Sequence, residues 1–172
     1  MTKHGITGSG VDHIVERADC AKATLYKIFG SKMALTLAVL QRREDLWTRG
    51  WLEKGLKSHA TGPEDRLLAI FDLFHEWFQQ DDFEGCTFMK VLLEPTIAPQ
   101  IRKATLAHSA NIRLIVRELA EDAGLDDVKR FTDAWMIIMD GSILAACQGN
   151  TEAARIAKQM AEPVLRGWPR QL

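Results

Sequence analysis

The stretch Val11 to Lys32, VDHIVERADCAKATLYKIFGSK, reads as two short helices around a tight turn. Val11, Ile14, Val15 and Ala18 fall at i, i+3, i+4 and i+7, one apolar face of a helix. Asp19-Cys20-Ala21 interrupts the pattern, and Leu25, Ile28 and Phe29 restart it on a second helix. Gly30-Ser31 stops that helix and caps the next. Two helices joined by about three residues, with a small apolar side chain in the turn, form a helix-turn-helix. The second helix presents Lys22, Ala23, Thr24, Tyr26 and Lys27 outward, and Lys, Thr and Tyr are types that reach phosphate oxygens and base edges.

The rest of the chain agrees with a soluble helical protein. Its 172 residues allow one compact domain or a small one plus a larger one. No run approaches the roughly 18 apolar residues of a membrane span, and Met1 to Gly10 has no apolar signal-peptide core. Cys20, Cys86 and Cys147 are odd in number and widely spaced, which suggests reduced thiols in a cytoplasm. The net charge of −1 conceals a division: residues 1–49 hold eight Lys and Arg against five Asp and Glu, and the remainder 14 against 18. A basic end suits a polyanion, and an acidic remainder stays off it.

Beyond Lys32 every periodic segment is helical, so the expected class is all-α. A long helix is expected from Ser31 to about Ser58, with Leu35, Ala38, Val39, Arg42, Leu46 and Leu56 on its stripe. Pro63 opens the next helix with Glu64 and Asp65 in its first turn. A short helix comes next, from Cys86 to Glu94, then a long stripe from Ile101 to Ala123 ended by Gly124. Asp126 is the expected N-cap of the next helix and Gly149 its stop. That helix is apolar on nearly all sides and must be covered twice. The last helix, Glu152 to Arg166, sets Ile156, Met160 and Val164 beside Ala153, Ala157 and Ala161. The pair predicts a homodimer through the last two helices, with Ile143 and Leu144 at the contact.

The residues Thr24-Leu25-Tyr26, Phe29 and Ser31-Lys32, spaced T-L-Y-x-x-F-x-S-K after Ile14 and Ala18, resemble the DNA-binding half of the tetracycline-repressor (TetR) family of bacterial transcription regulators. The resemblance is strong over residues 5–32 and rests on helix order beyond. It implies a head (1–47) joined by a long helix to an effector-binding and dimerisation body (48–172). It further implies that Thr24 and Tyr26 bond phosphates or bases, that Lys32 clamps a phosphate at a helix N-terminus, and that Lys22 and Ala23 read bases. Lys27 completes the expected DNA-binding set, and Cys20 matches a buried turn residue. Family members carry a further helix before the position of Gly5 and usually a His at the position of Ile28. A head without that first helix is expected to expose Val11, Ile14, Leu25 and Phe29, about 6–12 kcal/mol of unburied apolar surface, and to bind DNA weakly.

The resemblance also implies a small apolar or aromatic effector. The large side chains Phe74, Trp77, Phe78, Phe88, Met89, Trp135 and Met139 are the expected walls, with Cys86, His108 and Glu94 as the polar groups that orient it. An ordinary helical core explains the same large residues, together with Met136, and a satisfied structural role the polar ones. No cofactor or metal is expected: the five histidines form no metal-ligand spacing with cysteine. Cys86 and His108 have no spacing that demands a nucleophile and base, so an enzyme is disfavoured. A helical interaction or ligand-binding protein that has lost DNA binding is the nearer rival.

Overall fold

The computed structural model describes residues 10–171. Nine α-helices and one π-helical segment succeed each other in that span, and the described residues contain no strand, only an isolated bridge between Leu125 and Arg170. The all-α class is confirmed. The described chain packs as two compact units: residues up to Leu46 with Cys86–Ser109, and Trp47–Gly85 with Ala110 onward.

The first unit contains α1 (Val11–Arg17), α2 (Lys22–Phe29), α3 (Lys32–Glu44), α6 (Thr87–Leu92) and the start of α7 (Pro99–Asp122). The turn after α1 closes through Asp19, at φ 47°, while the Cys20 amide donates to the Val15 carbonyl. Cys20 is half-buried rather than enclosed in the core. Gly30, at φ 73°, ends α2, and Ser31 caps α3 by accepting a hydrogen bond from the Ala34 amide. Leu25 is buried, contrary to the expectation from a shortened head; Val11, Ile14 and Phe29 are half-buried. The core is made by Leu40, Phe88, Val91 and Ile101, with Met33, Leu37, Cys86 and Ile97 packed against it.

In the second unit α4 (Glu53–His59), α5 (Pro63–Phe78), α8 (Val128–Cys147) and α9 (Ala153–Gly167) pack together. Pro63 stands at the start of α5 with Glu64 and Asp65 in the first turn, as their chemistry predicts. Ala153, Ala154, Ala157 and Ala161 are the buried face of α9 against α5 and α8, where small side chains permit close approach. Lys158 on α9 donates to both carboxylate oxygens of Asp72 on α5 at 2.6 and 2.7 Å. A Cβ on Gly55 would stand 2.8 Å from the δ-carbons of Leu73, so a side chain there would require Leu73 to shift where α4 packs on α5.

Two local expectations need correction. The N-cap of α8 is Asp127, whose side chain accepts from the Arg130 amide. Asp126 is engaged elsewhere: its amide donates to the Pro169 carbonyl and its carbonyl accepts from the Trp168 indole, which ties down the C-terminal segment. Between α3 and α4 the helix widens into a π segment, Asp45–Leu52. The extra residue per turn rotates the downstream side chains away from a 3.6-residue count. Leu46, expected on the apolar stripe, is 58 % exposed, as Ala38 and Arg42 of that stripe already are in α3; the buried face runs instead through Thr36, Leu40, Glu44, Thr48, Leu52 and Leu56.

Candidate nucleic-acid interface and ligand-binding residues

One buried side chain orients α2. Leu25 turns inward, while Lys22, Ala23, Thr24, Tyr26 and Lys27 are all exposed around the rest of the helix. Ile28 joins them at 67 % exposed, a large apolar group where a thymine methyl or a sugar edge could meet it. Lys32 is half-buried at the first position of α3, whose opening turn holds no acidic residue. The helix dipole there favours an anion. Lys22 donates to Asp12 of α1 at 2.8 Å, and this hydrogen bond and charge raise its pKa above the ordinary lysine value. Asp12 thus competes with any phosphate or base for Lys22.

The expected effector residues divide between the units. Cys86, Phe88, Met89, Glu94 and His108 lie in the first; Phe74, Trp77, Phe78, Trp135 and Met139 lie in the second. In the first unit His108 stacks on Phe88 with ring centroids 3.6 Å apart and donates from Nδ1 to Glu44, which is also buried. The sequence reading missed Glu44, because a carboxylate 64 residues from its partner has no local signature. Burial holds the His108 imidazole below the ordinary histidine value, outweighing the hydrogen bond and charge of Glu44, which act upward.

That direction has a consequence for stability. A histidine kept neutral by the fold binds its proton more readily when unfolded, so the stability it confers is present above pH ~6.5 and is lost as pH falls through its lower native value. Thermal melts from pH 7.5 to 5 should show stability falling with acidification, with His108 contributing a slope of up to about 1.4 kcal/mol per pH unit. The His108→Gln variant should have a shallower slope; an unchanged slope would assign the acid sensitivity to other groups.

In the second unit Trp77 is half-buried inside an aromatic cluster. Trp47, Trp51, Phe74 and Phe83 surround it with centroids 5.5, 6.1, 5.8 and 5.1 Å away. Trp47, Trp51 and Phe83 were not singled out from the sequence; the Trp47-Trp51 spacing was the available signal. Trp135 is fully buried between Phe71 and Phe131, and its indole Nε1 has no hydrogen-bond partner.

Two cavities each lie within one unit. One, of about 310 Å³, is in the first unit and lined by Lys32, Met33, Thr36, Glu94, Thr96, Ile97, Ala98 and Ile101. The other, of about 720 Å³, runs along α7 and α8. Its charged wall is already paired, Arg113 to Asp133 at 2.6 Å and Arg117 to Glu121 at 2.7 Å. Of the expected effector residues only Glu94 lines either. Among the described residues no group of His, Cys, Asp and Glu is placed to hold a metal, and no single helix is long and apolar enough to cross a membrane.

The fold and the exposed second helix define a helix-turn-helix protein of the kind that docks a helix in a DNA groove. Residues 1–39 match the profile of the bacterial regulatory proteins, tetR family. The chain is 31 % identical over 125 residues to the HTH-type transcriptional activator FasR of Mycolicibacterium smegmatis, covering 71 % of this chain and 54 % of that protein. It is 28 % identical over 93 residues to the HTH-type transcriptional repressor NemR of Escherichia coli K12, covering 54 % and 46 %. The chain thus spans about half the length of these curated relatives. Among solved structures it is similar to SCO4454, a TetR-family transcriptional regulator from Streptomyces coelicolor, with a TM-score of 0.85 and 26 % identity over 94 % of this chain and 86 % of that one. The chain is thus similar to TetR-family regulators, and its residues 1–39 match the profile of that family.

Proposed function

We propose that the protein is a transcriptional regulator that binds operator DNA as a homodimer, and that a small apolar or aromatic effector controls that binding. The observation that carries the reading is α2 itself, where only Leu25 is buried and Lys22, Ala23, Thr24, Tyr26 and Lys27 are all exposed. We assign DNA contact to these residues and to Lys32, in a head of residues 1–47, and effector binding and dimerisation to 48–172. Such a protein works in the cytoplasm and needs no catalytic group.

Two recognition helices about one DNA turn apart, ~34 Å, would read a two-fold operator. The effector acts by binding better to the spacing that does not fit, which shifts the population off DNA. That makes the protein a repressor released by its ligand; its relatives include both an activator and a repressor. Trp77 in its aromatic cluster and the unpartnered indole N–H of Trp135 support an aromatic ligand with one acceptor in the second unit. Cys86, Phe88, Met89 and His108 are the corresponding residues of the first unit.

Selection from random duplex DNA tests the reading. A palindromic consensus should emerge, and its affinity should fall with a log K against log salt slope near ~−5, as expected if Lys22, Lys27 and Lys32 of two protomers neutralise about six phosphates. Failure to enrich any sequence would reject DNA recognition.

A further inference from the structure

Ile28 is the most exposed large apolar side chain of α2, at 67 % against 41 % for Tyr26. It stands four residues after Thr24, which is also exposed, so the two are neighbours on the helix surface. The Cα–Cβ bond of a helical residue tilts toward the helix N-terminus. That tilt carries the isoleucine over the turn of Thr24, toward the N-terminal residues that meet base edges when such a helix enters a major groove.

An isoleucine has no donor for a phosphate oxygen and no acceptor for a base edge. Lys22 and Lys27, exposed on the same helix, are the groups that suit phosphate. Against the backbone Ile28 would strip water from charged oxygens without offering them a hydrogen bond. The base edges of the major groove offer it one apolar group, the C5-methyl of thymine. We propose that Ile28 reads sequence by packing on the C5-methyl of one thymine in each operator half-site. This rests on the DNA-binding reading above and adds to it a residue outside its set of contacts.

The probe is the palindromic duplex selected from random DNA, with each thymine in turn replaced by deoxyuridine, which lacks only the methyl. At one position per half-site the replacement should weaken wild-type binding about fourfold, the effect of one buried methyl, and about tenfold or more when made in both half-sites. Ile28→Ala should weaken binding to the thymine duplex at least as much, and should no longer distinguish thymine from deoxyuridine at that position. Its log K against log salt slope should equal that of the wild type, because no phosphate contact is lost. Ile28→Asn, close in size but polar, should behave in the same way. Circular dichroism checks that both variants keep the helical fold; were one to unfold, the other carries the comparison.

Deoxyuridine tolerated at every position, or selected half-sites without thymine, would overturn the contact. Sensitivity to deoxyuridine that persists in both variants would give the methyl to another side chain. A loss in Ile28→Ala that is equal on selected and scrambled duplexes would place Ile28 on the sugar–phosphate backbone instead. If no sequence is enriched at all, the DNA-binding reading itself falls, and the role of Ile28 with it.

Discussion

Lysine at Ile137 and Leu144 should convert the protein from dimer to monomer. Ile137 is 73 % exposed and Leu144 51 % exposed on α8, seven residues apart and so on one face; Ile156 at 46 % and Met160 at 59 %, four apart, continue an apolar surface on α9. Four large exposed apolar side chains on two adjacent helices are what an isologous contact requires. In a two-fold interface each substitution occurs twice, and a buried unpaired charge costs several kcal/mol. The double variant should weaken dimerisation by about a thousandfold or more, roughly 4 kcal/mol. Ile143, which the sequence placed at this contact, is only 5 % exposed and faces the protomer's own core, so a lysine there would test folding instead. Multi-angle light scattering with circular dichroism decides the matter. A helical, folded double variant that keeps the dimer mass would move the interface elsewhere.

Removing one hydroxyl from α2 should produce a comparably large loss of operator affinity. Thr24 and Tyr26 are both exposed, so Thr24→Ala and Tyr26→Phe delete a donor with almost no cost to packing. A hydrogen bond to a charged group contributes about 1.5–3 kcal/mol, and the dimer loses two. Each variant should weaken binding by about a hundredfold or more, on specific and non-specific DNA alike, if the lost contact is to phosphate. Lys22→Ala should instead change which base is preferred. Asp12→Asn, which frees Lys22 from its present partner, should strengthen binding. Anisotropy titrations on selected and scrambled duplexes separate these outcomes. Loss confined to the selected sequence would reassign Thr24 or Tyr26 to base reading, and no loss in either variant would remove α2 from the interface.

The helix-turn-helix was legible because its signals act within a few residues. Ser31 capping the Ala34 amide, Gly30 with positive φ, and Pro63 opening α5 are all local chemistry. The alanine face of α9 was visible for the same reason: a period of 3.6 needs no knowledge of the partner helix. The sites were less legible. Lys22 was visible as a cation, but its hold on Asp12 was not, and the residues expected to bind an effector divide between units in a way that no periodicity announces.

What the amino-acid sequence determined alone was therefore the set of helices, most of their caps and stops, and a motif similar to that of TetR-family regulators. The tertiary structure decided which apolar residues are core and which are surface. It buried Leu25 and exposed Leu46 and Ile137, paired Glu44 with His108 across 64 residues, and placed Cys86–Ser109 in the first unit. The physical reason is range. Capping and helical hydrogen bonds connect residues three to five apart, so a short window contains their causes. Burial depends on side chains dozens of residues away, as Glu44 and His108 show, and no short window contains them.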